Sequence, residues 1–135
     1  INENKYSKNF YKKYKNFNSL SFVGYQSQEG IKKLYETSDA LIFPSLIETW
    51  GMPLSEAKKF NLPIIVSDAT YAHETIGNYH SAYFFDPHNV ENLSSILIKF
   101  NAGINIFSST SYPKPSPPFA ETFKELLDIM IYNRI

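Results

Sequence analysis

The chain has 135 residues, 43% of them hydrophobic and 19% charged, with 13 basic and 13 acidic side chains that cancel. That balance suits one domain with a real core, and zero net charge gives no general case for nucleic acid or an anionic membrane as partner. The lack of cysteine excludes a disulfide framework, a Cys-based metal site and a thiol nucleophile, and no apolar run approaches the ~20 residues that span a bilayer.

In chain order, a helix is expected over residues 3–17. Its stretch "KYSKNFYKKYKNF" (5–17) is basic and aromatic. It reads as a local binding patch or, more commonly, as a surface helix with its lysines in water. "LSFVGY" (20–25) is a short apolar run stopped by Gly24, hence a strand. Ser27 can cap a helix over 28–37, where Ile31, Leu34 and Tyr35 recur at helical spacing. "DALIFPS" (39–45) reads as a buried strand ended by Pro44. Pro53 opens a helix to about Phe60, and Asn61 can adopt the left-handed conformation that ends it.

"LPIIVSD" (62–68) is a further apolar strand. "AHETIG" (72–77) is a short helix closed by Gly77, and "SAYFFD" (81–86) is another buried strand. Asn89 or His88 begins a helix over 90–100 with Leu93, Ile96, Leu97 and Phe100 on one face. The Pro/Ser-rich segment 101–118 cannot be a regular helix and reads as an extended surface connection. Residues 119–135 form an amphipathic helix with Phe119, Phe123, Leu126, Leu127, Met130 and Ile131 on its apolar side. Short apolar strands alternating with helices mean an α/β fold, a Rossmann-like parallel sheet with helices on both faces. Ligands of such sheets sit at the carboxyl ends of the strands.

One such end carries the sharpest motif, "FPSLIETWGMPLSEAKKF" (43–60), with Glu48 and Glu56 on either side of Trp50, Gly51 and Pro53. Gly51 has no side chain, so a ligand can come close to its backbone. The amides near Gly51, Met52 and Leu54 stand at a helix start and can donate to phosphate or sugar oxygens. Glutamates are poor neighbours for a bare phosphate but good acceptors for hydroxyls. A ligand with hydroxyls at both ends and phosphates between would satisfy all of them, and a nucleotide sugar has that shape. The plain alternative is that Glu56, in the first turn of the helix, only favours the helix dipole.

"FVGYQSQEGIKKLYETSDALIFPSLIETWGMPLSEAKKFNLPIIVSD" (22–68) resembles the carboxyl-terminal domain of retaining glycosyltransferases of the GT-B fold, in the family called glycosyltransferase family 4. The resemblance rests on Phe22-Val23-Gly24, Ser38-Asp39-Ala40, Pro44-Ser45, the Glu48-to-Glu56 spacing and Pro63-Ile64-Ile65-Val66-Ser67-Asp68. It covers about residues 20–100, with "FFDPHNVENLSSIL" as a further strand, turn and helix.

The resemblance implies that Glu48 contacts the donor sugar and is the catalytic residue. It implies that Glu56 holds the ribose, and that Gly51, Met52 and the amides after them meet sugar and phosphates. Glu74 matches a glutamate of the family's pattern, and Tyr25 lies where the nucleobase passes. Trp50 could stack on a base or sugar ring or plug the loop against the core. Glu48-Thr49-Trp50-Gly51 stands where the family often has Glu-Gly-Phe-Gly, and the usual Gly-Gly after Ser67-Asp68 is absent.

The organisation expected is a Rossmann-like donor-binding portion over 1–100, a Pro/Ser-rich connection over 101–118 and a helix over 119–135. The function implied is transfer of a hexosyl unit from a nucleotide diphosphate sugar with retention, in surface polysaccharide or glycolipid biosynthesis. The alternative is a non-catalytic α/β module that binds nucleotide or another protein. No cofactor is expected, and without an Asp-x-Asp motif no metal site either. His73 beside Glu74 could be an acid–base pair, but adjacent helical residues point two ways.

Lys58 and Lys59 read as solvated. The cations that neutralise the diphosphate, and the amino-terminal acceptor-binding domain, would lie upstream of Ile1. The isolated chain is therefore expected to be inactive and, with an unprotected sheet edge, to self-associate. The expected place is the cytoplasm, where a full-length protein would meet a glycolipid acceptor at the inner face of the membrane, peripherally.

Overall fold

The computed structural model describes residues 5–107 and 123–132. They form two compact units that divide between Ser38 and Asp39.

In the first unit, α1 (Lys5–Tyr14) and α2 (Gln28–Thr37) flank an irregular stretch, and neither helix has a buried residue. Phe10 and Tyr14 are one turn apart on α1, so their rings meet with centroids 4.7 Å apart. Ser27 caps α2 as its sequence predicts: its backbone is extended and its hydroxyl accepts from the Gly30 amide at 3.2 Å. The strand predicted over 20–25 does not form. An apolar run becomes a strand only when its N–H and C=O groups find a ladder, and among the described residues 20–25 have none. Phe22 instead sets its ring edge-on to Tyr11, 5.1 Å between centroids.

The second unit is the α/β part. Its elements are β1 (Leu41–Phe43), α3 (Met52–Lys59), β2 (Ile64–Ser67), α4 (Thr70–Ile76), β3 (Ala82–Phe85), α5 (Val90–Asn101) and α6 (Phe123–Tyr132). The strands form a parallel sheet in the order β1-β2-β3. Leu41 pairs with Ile64 and Ile64 with Ala82; Phe43 pairs with Val66 and Val66 with Phe84. Paired residues share a face and alternate residues return to it.

α4 covers that face: the Tyr71 ring meets Phe43 edge-on at 6.5 Å, and His73 stacks on Phe84 at 4.0 Å. α3 lies beside α4, as right-handed crossovers in a parallel sheet require. The opposite face belongs to α5, whose Ile96 joins Ile65 and Phe85 with Leu93, Leu97 and Phe100 packed around them. Those are the four residues of the predicted apolar face. Helices therefore cover both faces, in a Rossmann-like arrangement.

Only β2 is buried along its whole length, and burying Ile64, Ile65 and Val66 is worth roughly 1.5–3 kcal/mol each. β1 departs from the buried strand expected, with Ile42 43% exposed, because it is the first strand of the order and Ile42 faces away from α4. Asn61 ends α3 at φ 53°, as predicted. α4 starts two residues before the predicted helix. Asn89 caps α5, its Oδ1 accepting from the Asn92 amide at 2.8 Å. Residues 104–107 have no regular structure. On α6, Leu127 and Ile131 are exposed. The remainder of the predicted connection (108–118) and of the predicted terminal helix (119–122 and 133–135) lies outside the described residues.

Lys58 is not solvated as expected. It is half-buried, and its ammonium donates to the carbonyls of Thr75 (2.5 Å) and Ile76 (3.4 Å), the last of α4. A cation there meets the Thr75 carbonyl, shares the Ile76 carbonyl with the Tyr79 amide and suits the negative end of the helix dipole, and burial lowers its pKa. Lys58→Met keeps the stem but removes these bonds, and should cost about 1–2 kcal/mol in urea unfolding at neutral pH; an unchanged midpoint would show that α3 and α4 do not depend on this link. Ser67 is fully buried, and its hydroxyl has no partner among the described residues. Ser67→Ala should therefore hold stability or raise it by up to about 1 kcal/mol, and a clear loss in the same measurement would reveal an unseen partner for that hydroxyl.

Candidate functional site

A parallel sheet brings all its strand ends to one side. β1 ends in the loop 44–51, and its neighbour β2 ends at Ser67, shortly before α4. The loop with Glu48 and the start of α4 therefore meet.

α4 holds both ends of the loop. At one end the Tyr71 hydroxyl donates to the Ser45 carbonyl at 2.8 Å. At the other the Thr75 hydroxyl donates to the Trp50 carbonyl. Tyr71 and Thr75 are four residues apart on α4, so both side chains leave one face of it. Between these anchors the Ser45 hydroxyl donates to Glu48 Oε1 at 2.8 Å. Glu48 itself is exposed, so this bond orients a carboxylate that still faces solvent. The Tyr71 phenol is pushed above its ordinary pKa mainly by burial, with the Glu48 charge adding and the bond to Ser45 opposing.

Gly51 caps α3 at φ 71°, ψ 56°, a conformation that strains residues with a side chain. Space is tight as well: a Cβ would lie 3.2 Å from both Leu54 Cδ1 and Tyr71 Cε2. The Leu54 amide, expected to be open to a ligand, is bonded to the Gly51 carbonyl at 2.9 Å. Pro53 has no N–H. The amides left without a protein partner among the described residues are those of Gly51 and Met52.

α3 has no acidic residue in its first turn. It begins at Met52, so Glu56 sits in the second turn rather than the first, and the helix dipole accounts for it less well. Glu56 is half-buried, while the Met52 side chain is exposed. Trp50 is 54% exposed, so it does not plug the core; its indole N–H donates to Ser55 Oγ at 3.1 Å.

The structure thus places Glu48, Trp50, Gly51, Met52 and Glu56 on one loop–helix segment. Glu74 lies exposed on α4. Tyr25 belongs to the other unit and is exposed. His73 pairs with Asp68, Nε2 lying 2.6 Å from Asp68 Oδ1. Sequence reasoning missed Tyr71 and Thr75. Their i, i+4 spacing was readable, but the helix was expected to start only at Ala72, which left Tyr71 outside it. Among the described residues no cluster of His, Asp and Glu could hold a metal, and no helix is long and apolar enough to cross a membrane.

Comparison with known proteins covers this segment together with most of the described chain. The family described as "Glycosyl transferases group 1" matches residues 1–103. An O-antigen chain mannosyltransferase, RfbU, of Salmonella typhimurium is 33% identical over 92 residues, 61% of this chain and 26% of that protein. A serotype-specific mannosyltransferase, WbdA, of Escherichia coli is 30% identical over 107 residues, 79% of this chain and 12% of that protein. Sucrose-phosphate synthase of Spinacia oleracea is 24% identical over 100 residues, 71% of this chain and 10% of the enzyme. The matches therefore span only a part of these relatives' own length, 26% at most. No solved structure gives a significant match. Since the family match takes in the loop, both glutamates and α4 alike, the chain belongs to the group 1 glycosyltransferases.

Proposed function

We propose that residues 1–100 are the donor-binding portion of a transferase that moves a hexosyl unit from a nucleotide diphosphate sugar with retention of anomeric configuration. The observation that carries this is the Glu48 carboxylate, held by Ser45 and exposed on the loop that leads to the buried Gly51. A carboxylate fixed in this way can accept from a sugar hydroxyl in the ground state. As the diphosphate leaves, positive charge grows on the sugar, and an anion already in place stabilises it without reorganising. The free amides of Gly51 and Met52 offer donors for a phosphate or sugar oxygen. Glu56, on the next turns of α3, accepts from the ribose diol. Trp50, Glu74 and Tyr25 are secondary contacts in this reading.

The names of the bacterial relatives favour mannose as the sugar and a growing surface polysaccharide as the acceptor. The reaction asks for no organic cofactor. Cations for the diphosphate, and the acceptor domain, come from parts of the transferase other than these 135 residues. The full protein would work in the cytoplasm, at the inner face of the membrane where a lipid-linked acceptor is exposed.

Two variants separate the roles of the glutamates in the whole transferase. Glu48→Gln keeps the size and one acceptor but removes the charge, and should lower kcat by roughly 10²-fold. Glu56→Gln should mainly raise KM, because the ribose changes little along the reaction. Steady-state kinetics with circular dichroism as a fold check decides; wild-type behaviour of both variants would leave the pair as a helix start and favour a non-catalytic module. By itself the 135-residue chain should bind GDP-mannose or UDP-glucose only weakly, with Kd on the order of millimolar. Titration followed by NMR tests this, and micromolar binding would mean that these residues already supply the charge assigned to the rest of the protein.

A further inference from the structure

Glu48 is held at one remove. Its Oε1 takes the Ser45 hydroxyl, and the Ser45 carbonyl takes the Tyr71 hydroxyl, each at 2.8 Å. One residue therefore binds the carboxylate with its side chain and the helix α4 with its backbone. The Tyr71 ring also fills the space beside Gly51, where a Cβ would come within 3.2 Å. Tyr71 is 8% exposed and stands edge-on to Phe43 at the end of β1, so its own position is fixed by the core. Thr75, one turn further along α4, holds the far end of the loop through the Trp50 carbonyl.

We propose that Tyr71 is the positioning residue for Glu48, setting the Ser45–Gly51 loop through the Ser45 carbonyl so that the Ser45 hydroxyl holds the carboxylate. Tyr71 touches neither donor nor acceptor in this arrangement. It lies in the segment "SDATYAHE", which departs from the glycine-rich pattern usual after Ser-Asp in the family. Here side-chain hydroxyls of α4 anchor the loop at both ends. The catalytic part of this inference rests on the proposed role of Glu48; the structural part does not.

The test uses Tyr71→Phe, which keeps the ring beside Gly51 and removes only the hydroxyl, together with Glu48→Gln, in the whole transferase. Without any ligand, Tyr71→Phe should speed amide exchange in a peptide covering 45–50 by roughly fivefold or more, while peptides from β2 keep their protection. In a sample labelled at the tyrosine ring carbon, Glu48→Gln should move the Tyr71 titration slightly to lower pH: burial, the main cause of its raised pKa, stays, while the smaller contribution of the Glu48 charge is gone. With a nucleotide sugar, Tyr71→Phe should lower kcat about tenfold with little change in KM, and the double variant should be no slower than Glu48→Gln alone.

Unchanged exchange of the loop, or an unmoved Tyr71 titration, overturns the positioning role. So do rate losses that multiply in the double variant. If the wild-type transferase turns over no nucleotide sugar, the proposed function falls instead, and the two ligand-free measurements still decide whether Tyr71 sets the loop.

Discussion

The parallel pairing of β1 with β2 is the constraint on which the rest depends. Parallel strands end on the same side, and neighbours in the sheet end side by side. Leu41 to Phe43 stand against Ile64 to Val66 in register. That register puts the loop after Phe43 next to the helix that follows Ser67. An antiparallel or shifted arrangement would leave Glu48 and Tyr71 with no reason to meet. The fully buried Ile64, Ile65 and Val66 hold the register, since a one-residue slip would exchange what faces α4 for what faces α5.

The loop itself is built by subtraction and by anchoring. Gly51 removes a side chain where the backbone must turn with positive φ and where Tyr71 and Leu54 already fill the space. Proline and an early bond to the Gly51 carbonyl reduce the free amides at the start of α3 to those of Gly51 and Met52. The hydroxyls of Tyr71 and Thr75 then fix the two ends through backbone carbonyls. Backbone contacts of this kind do not depend on which side chains the loop carries.

Polar groups elsewhere in this unit serve packing first. Lys58 closes the carboxyl end of α4 and links it to α3. His73 spreads its ring on Phe84 and turns Nε2 to Asp68, so the pair joins the start of α4 to the face of β3. Neither needs a ligand to account for its place. Glu48 differs, being exposed with an oriented carboxylate.

Much of the fold was legible in local chemistry. Ser27, Asn61, Gly77 and Asn89 end or start their helices where their conformational preferences put them, and Leu93, Ile96, Leu97 and Phe100 share a face because helical spacing makes them do so. The short apolar runs at 41–43, 64–67 and 82–85 announced a parallel sheet, and the Glu48–Glu56 spacing singled out the candidate segment. What sequence alone could not settle depended on contacts between distant residues. The run 20–25 has the composition of a strand but no ladder, and a strand exists only with its partner. Ile42 is exposed because of its place at the sheet edge, which composition does not record. Lys58 found the end of a helix 17 residues away. Tyr71 reached Ser45 across 26 residues of chain, a bond that forms only once β1 and β2 have paired and brought the two ends together.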